Sequence, residues 1–351
     1  MNPATPISKQ NIKNLSLDEL GQWLVHRGHS SYRADQLIQW IYQKQAASFA
    51  DMTSLSKAFR AELDTHFDIP QWMPETVQVS SDGTQKFLFR LADGEAIESV
   101  LIPSKERLTL CFSSQVGCAM GCRFCLTATM GLKRNLTLFE ITEQIAAVYR
   151  SLPSDKRISN LVAMGMGEPL HNRKTLTEAL RIFNHDLGFK LSKNRITVST
   201  SGLVPEMPKL LADMPVKLAV SLNATTDEVR NQVMPVNRKY PLSVLLEACQ
   251  HLPLGRNGRV TFEYVMLHGV NDTPEDLKRL TRLLANIPSK INLIPFNPYP
   301  GSPYKRPPEA WVETFQHALI NKGFVACIRH SRGQDILGAC GQLAVLGGMA
   351  A

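Results

Sequence analysis

The chain has 351 residues, 44% hydrophobic and 20% charged, a composition able to bury one large core or two unequal ones. That balance excludes collagen-like, coiled-coil and intrinsically disordered chains, and no uncharged apolar run approaches the roughly 20 residues of a membrane-spanning helix. Lysine and arginine total 39 against 31 aspartates and glutamates, a formal charge of +8 that favours a polyanionic partner, nucleic acid first among them. The opening MNPATPISKQNIKNL has no apolar h-region, so the expected compartment is the cytoplasm. Seven cysteines are too few for a disulfide scaffold and read as metal ligands, reactive thiols or core residues.

Residues 1–74 read as a small helical module. Ser16 caps a helix reaching about Val25, and Ile38, Trp40, Ile41 and Tyr42 give helical spacing across Tyr32–Gln43. A third helix spans about Leu55–His66, and Pro70 and Pro74 then break the chain. Residues 75–105 form a β extension. Thr76–Ser80 and Gln85–Leu91 flank Asp82-Gly83, a favoured two-residue hairpin signal. Asp93-Gly94 turns the chain into Ala96–Ile102, which Pro103 is expected to end, with a boundary near residue 100.

From 106 to 345 strands and helices alternate. The candidate strands are Leu108–Phe112, Asn160–Met164, Arg195–Thr200, Val216–Leu222, Arg259–Leu267 and Lys290–Pro295, most of them short and rich in Val, Ile and Leu. The clearest helix opens on the capping box Thr137-x-x-Glu140 and continues through Leu138, Ile141, Ile145 and Val148. Six βα units predict an α/β fold on a parallel sheet, either doubly wound or curled into a partial barrel. The segment after Arg332, rich in Gly and Ala, is expected to be loosely packed.

Cys118, Cys122 and Cys125 stand as CAMGCRFC, a C-x3-C-x2-C spacing in a loop that Gly117 and Gly121 make permissive. The loop follows the first strand of the alternating region, at the end where α/β folds keep their active sites. Three thiolates are one short of a closed zinc site, and the next histidine, His171, is distant. A 4Fe-4S cluster on three cysteines would instead leave one iron open to a small-molecule chelate; an incomplete zinc knuckle is the bland alternative.

With Phe124 before its last cysteine, this motif resembles the signature of the radical S-adenosylmethionine (SAM) superfamily. Longer blocks narrow the resemblance. SSQVGCAMGCRFC (113–125), RNL (134–136), MGMGEP (164–169), LSKNRITVSTSG (191–202), INLIPFNPYPG (291–301) and RGQDILGACGQL (332–343) are together similar to the RlmN-type RNA methyltransferases. The similarity runs in order from about residue 30 to 345. It implies a radical SAM partial (βα)6 barrel preceded by a helical accessory domain that is a candidate RNA binder. It also implies one 4Fe-4S cluster held by Cys118, Cys122 and Cys125, with SAM on the open iron.

The same resemblance assigns the remaining site residues. Gly167 and Glu168 would meet the SAM amino group, with further SAM contacts at Ser199, Ser221, Leu222, Asn223 and Asn297; a histidine is common in the family where this chain has Asn223. Cys340 would carry a methyl group as S-methylcysteine, Glu98 would accept a proton, and Cys111 would resolve the adduct through a transient disulfide with Cys340. On burial statistics alone Cys111 reads as a core residue and Glu98 as a solvated strand carboxylate, and Cys249 and Cys327, which match no family role, are expected in the core. The basic clusters Lys133-Arg134, Lys190 to Arg195, Arg238-Lys239 and Lys305-Arg306 are candidates for gripping phosphates.

The implied chemistry follows from the target. Adenine C2 is an electron-poor sp2 carbon without a lone pair, so direct attack on the SAM methyl should fail. The implied cycle uses two SAM molecules per turnover. One methylates Cys340, whose thiolate a nearby positive charge should favour, and the other yields the radical that activates that methyl for addition to C2. The expected substrates are 23S rRNA at the peptidyl-transferase centre and the adenine 3′ to the anticodon in tRNA. An electron donor such as flavodoxin and a thiol reductant are the expected partners, with no membrane. Cfr-type methylation at C8, a radical SAM activase of a protein partner, and a non-enzymatic iron–sulfur or zinc RNA-binding protein are the rival readings.

Overall fold

A computed structural model describes residues 9–105, 107–255 and 258–344. The expected outer bounds at residues 1, 106 and 345 lie outside them, as do the first eight residues of the leader reading. The chain divides into two compact units. One holds the residues up to Met73 with Leu136–Arg157 and Lys174–Ser192, and the other holds the rest. Among the described residues no helix is long and apolar enough to cross a membrane.

In the first unit the local signals act as the sequence reading expects. Ser16 accepts the N–H of Glu19 while the Glu19 carboxylate takes the N–H of Ser16, opening Leu17–His26. Tyr32–Ile38 continues into a wide π turn, Gln39–Gln43, and Ser56 caps Lys57–His66. These helices share one unit with two later segments, helix Leu138–Ser151 among them. Lys13 is buried there with its Nζ donating to Glu143 Oε2 at 2.7 Å and to the Pro70 carbonyl at 2.8 Å, because a desolvated charge needs a partner.

The second unit is built on a ten-stranded sheet: β1 (Thr76–Val79), β2 (Gln85–Arg90), β3 (Ala96–Ser104), β4 (Arg107–Phe112), β5 (Asn160–Ala163), β6 (Ile196–Thr200), β7 (Lys217–Ser221), β8 (Val260–Met266), β9 (Ser289–Pro295) and β10 (Val325–Ile328). Strand order in the sheet is chain order. β1 to β4 form an antiparallel meander and β4 to β10 run parallel. A doubly wound sheet reverses its order at a switch point, and this one never does, so the winding is that of a partial barrel. The pairs Cys111↔Val162, Val162↔Thr197, Ser199↔Ala219 and Ser221↔Glu263 put Cys111, Ser199, Ser221 and Glu263 on one face.

Several expectations are corrected. Pro103 does not end β3, which runs to Ser104 with Pro103 opposite Leu108. The ladder with β2 stops at Leu101, so one edge of β3 is open there and a missing N–H costs nothing. The boundary expected near residue 100 falls inside a continuous sheet, since β3 pairs with both β2 and β4. Asp82-Gly83 turns within a three-residue loop closed by Ser80 and Thr84, with Gly83 in the left-handed region at φ 82°. β10 adds a seventh parallel strand, and Cys327 on it is exposed rather than a core residue, because β10 is an edge strand; Cys249 is buried as expected.

Over its described residues, 333–344, the segment after Arg332 is tied down rather than loose. The Asp335 carboxylate accepts from Ser80 Oγ (2.6 Å) and from the Ser81 N–H (3.0 Å), and Asp82 accepts from the Gly333 N–H (3.0 Å). Ala339, Gln342, Leu343 and Ala344 are buried.

Candidate active site

The loop carrying the three cysteines leaves β4 through Gln115–Gly117, which pairs with Leu132–Asn135. Gly117 has φ 73°, and a Cβ there would lie 1.8 Å from the Gly131 carbonyl oxygen that accepts the Cys118 N–H, so only glycine fits. The Cys125 N–H donates to the Cys122 carbonyl and the Arg123 N–H to Val233, which fixes the rest of the loop. The three thiols face one cleft of about 900 Å³, and burial pushes all of them up, Cys118 to about 12. Neighbouring sulfurs add to the shift at Cys118 and Cys122. A cationic centre would reverse that cost and hold them as thiolates.

The donor set therefore fits a cluster: three half-buried thiols from one loop face one cleft, and the fourth cysteine of its walls, Cys340, comes from the separate C-terminal segment. Among the described residues no three such donors converge tightly enough for a single metal ion. A cluster does not ask for that, since each of its thiolates binds a different iron.

Across the cleft stand the ends of β5 to β9. Gly167, at φ 101°, passes so close to Gln115 that a Cβ would lie 2.5 Å from that side chain. Glu168 is buried, and its carboxylate accepts the N–H groups of Leu170 (3.1 Å) and Ser201 (2.7 Å); burial still raises it above the usual carboxylate range. Ser199 lines the cleft and donates to Glu263 Oε2 at 2.8 Å. Ser221 and Asn297 line it as well. Leu222 and Asn223 do not: both are fully buried, and Asn223 spends its amide on the Val265 N–H (2.7 Å) and on Met234 (3.1 Å). A side-chain contact from either to a ligand in the cleft is not supported.

Cys340 sits in the wall between this cleft and a second cavity of about 600 Å³, which Cys111 also lines. The second cavity has apolar walls from Ile102, Val162, Met164, Ile294 and Leu343. Cys340 is reached by solvent through these cavities yet lies deep among protein atoms, and that depth raises its thiol while Arg329 pulls it down. Burial raises Cys111 to about 12, with Cys340 adding and Arg329 opposing. All seven cysteines are free, so the Cys111–Cys340 pair is seen as two thiols, not as a disulfide.

Asn297 Nδ2 donates to the Cys340 carbonyl (3.1 Å), the Leu126 N–H donates to Gly341 (2.7 Å) and Gln342 Nε2 to Pro298 (2.8 Å). These bonds seat the Gly-rich segment at the cleft. Glu98 shares the sheet face of Cys111, since Val100 is its opposite number, and it is buried rather than solvated. It pairs with Lys86 at 3.0 Å and accepts the Ala344 N–H at 3.1 Å. Burial nevertheless lifts Glu98 above the usual carboxylate range.

Three residues escape sequence reasoning. Glu263 had a signal, a carboxylate inside the apolar strand VTFEYVM at the position facing the site. Arg329 follows a strand that the sequence reading does not contain. Arg230, fully buried, reads in sequence like any solvated helix cation. Of the basic clusters, Arg134 is engaged by Asp93 and Arg306 by Glu309, so those side chains are partly committed inside the protein.

Residues 112–284 match the profile of the radical SAM superfamily, and residues 10–69 match the N-terminal domain of ribosomal RNA large subunit methyltransferases. A dual-specificity RNA methyltransferase RlmN of Geobacter sulfurreducens is 54% identical over 95% of this chain and 91% of its own. The RlmN of Geotalea uraniireducens is 53% identical over 96% and 97%. The crystal structure of a radical SAM methyltransferase from Sphaerobacter thermophilus superposes with a TM-score of 0.88 at 43% identity, covering 95% of this chain and 99% of that one. Identity at this level across nearly the whole length, in a chain that already shows the three-thiol loop and the parallel sheet, places it in the RlmN family of dual-specificity RNA methyltransferases, within the radical SAM superfamily.

Proposed function

We propose that the protein methylates C2 of an adenine in 23S rRNA and of the adenine 3′ to the anticodon in tRNA, with Cys340 as the methyl carrier. The observation that carries this reading is Cys340 in the shared wall of two cavities, one lined by the three cluster thiols and the other by Cys111. A carrier must face the methyl source on one side and the acceptor on the other. A protein activase has no use for such a second thiol.

In this reading Cys118, Cys122 and Cys125 hold the 4Fe-4S cluster. Gly167 and Glu168 orient SAM, with Ser199, Ser221 and Asn297 along the cleft. A cluster held by these thiolates would supply one-electron reduction of SAM, and so radical chemistry at an unreactive carbon, with a donor such as flavodoxin as the electron source. The Cys340 thiolate takes a methyl by displacement, and Arg329 supplies the positive charge that favours it. Once Cys340 is bonded through the methylene to the base, Glu98 accepts the C2 proton. Cys111 then attacks the Cys340 sulfur: the sulfur–methylene bond breaks, the departing carbon takes up the proton the Cys111 thiol gives up and becomes the methyl, and a thiol reductant reopens the disulfide left behind.

The test is Cys111→Ala. Carbon–carbon bond formation should proceed and release should fail, giving RNA covalently held on Cys340, seen as a slowly migrating band that nuclease removes. Free methylated RNA at the wild-type rate would refute the role of Cys111. Mass spectrometry of wild-type product nucleosides decides between C2 and C8.

A further inference from the structure

Arg230 lies on helix Asp227–Val233, 0% exposed, beneath the loops that follow β6 and β7. Every N–H of its guanidinium is satisfied, yet none by a charge. Nε donates to the Leu222 carbonyl (3.0 Å), Nη1 to Asn237 Oδ1 (2.9 Å) and the Tyr240 carbonyl (3.4 Å), and Nη2 to the carbonyls of Ser201 (2.9 Å) and Ser221 (3.0 Å). The acid nearby, Asp227, is one amide removed, accepting from Asn237 Nδ2 at 2.9 Å. Hydrogen bonds to neutral oxygens satisfy the geometry of a buried guanidinium but leave its charge unbalanced, and buried charges persist when something balances them.

The balancing group lies at the C-terminal end of the same helix. Val233 and Met234, at its end, pack against Cys122 and Phe124, and the Val233 carbonyl accepts the Arg123 N–H at 3.0 Å. Burial lowers the guanidinium, and Cys122, were it a thiolate, would oppose that together with Asp227 and Cys249. With a cluster in place, three thiolates outweigh the two positive charges of its oxidised core, and taking up an electron makes the centre more negative still. We infer that Arg230 is the fixed counter-charge of the iron–sulfur cluster, placed in a dry site to favour its reduced form and so raise its reduction potential. This rests on the reading of Cys118, Cys122 and Cys125 as cluster ligands. The competing view gives Arg230 a tethering role only, through the Ser201, Ser221 and Leu222 carbonyls.

The experiment is a redox titration of the anaerobically reconstituted full chain, following the reduced cluster by electron paramagnetic resonance. Arg230→Gln keeps hydrogen-bonding capacity without the charge. At the wild-type midpoint its reduced-to-oxidised ratio should be at least tenfold lower, a shift of 59 mV to more negative potential for one electron. Arg230→Lys should stay near wild type. The double variant D227N/N237D leaves the charge count unchanged and moves the carboxylate onto the guanidinium. Its midpoint should fall in the same direction, and it decides the matter if Arg230→Gln does not fold. Full iron content with midpoints equal to wild type in these variants would overturn the inference and leave Arg230 a tether. A wild-type chain that takes up no cluster would bring down the ligand assignment instead.

Discussion

The Lys86–Glu98 pair sets the pH at which the proposed proton acceptor is competent. Lys86 Nζ lies 3.0 Å from Glu98 Oε1, and the two side chains are 11% and 6% exposed, so solvent screens the pair weakly. Burial raises Glu98, while Lys86 and the Ala344 N–H hold it down. Lys86→Met keeps the apolar stem and removes the charge. Losing one partner of a buried pair costs about 3–5 kcal/mol where the other stays ionised, so without Lys86 the burial of Glu98 goes unopposed and lifts it further above the usual carboxylate range.

Glu98 accepts a proton only when ionised, so the acidic limb of the methylation rate against pH should move to higher pH. Below the new pKa the variant should lose about tenfold in rate for each unit of pH, and it should regain the wild-type rate at alkaline pH. Stability follows the sign of a raised carboxylate. The variant should be least stable where Glu98 is forced to ionise unpaired, and should recover as pH falls and the carboxyl is protonated. Single-turnover methylation from pH 6 to 10 measures the limb. A loss equal at every pH, or a limb that does not move, would refute the role of Glu98 as the acceptor governed by Lys86.

Replacing any one of Cys118, Cys122 or Cys125 with Ala should remove the visible absorbance of the reconstituted cluster and all methyl transfer; a full cluster in any of the three would refute the ligand set. Gly117→Ala should cost more than about 2 kcal/mol in denaturant unfolding and prevent cluster assembly, since its Cβ would displace the Gly131 carbonyl that orders Cys118. Under native conditions iodoacetamide should modify Cys327 and spare Cys249, as peptide mass spectrometry will report; equal labelling would contradict the exposed edge position of β10.

The strands β4 to β9 were legible to within a residue or two because each is a short apolar run bounded by turn residues, which is what a strand covered on both faces requires. β10 was not legible. Val325–Ile328 is four residues long with alternate positions exposed, and neighbouring β9, not its own pattern, makes it a strand. Pro103 misled for a related reason: proline is forbidden only where both edges of a strand are paired, and pairing is a tertiary fact. The three-cysteine loop could be read from spacing alone, because its thiols reach one cleft without help from any other element. Glu263, Arg230 and Arg329 could not, since what distinguishes them is burial beside partners on other strands and loops. The Gly-rich end looked loose because glycine and alanine carry no side-chain anchors. Its anchors belong to Ser80, Asp82, Asn297 and Leu126, donated or accepted at its backbone and at Asp335.

The tie between the ends of the second unit bears on how the protein comes off the ribosome. Because sheet order is chain order, each strand can add to the one made just before it, and most pairings close without waiting for distant sequence. The seat of Cys340 is different. Ser80 and Asp335 meet across 255 positions, and Glu98 and Ala344 across 246, so this contact of very high sequence separation forms only after residues 335–344 have been made. A chain stalled before residue 335 would carry Cys111 and the three loop cysteines on a nearly finished sheet and still lack Cys340. On the proposed mechanism such a copy could not form the covalent link to RNA that, without release, would trap the nucleic acid.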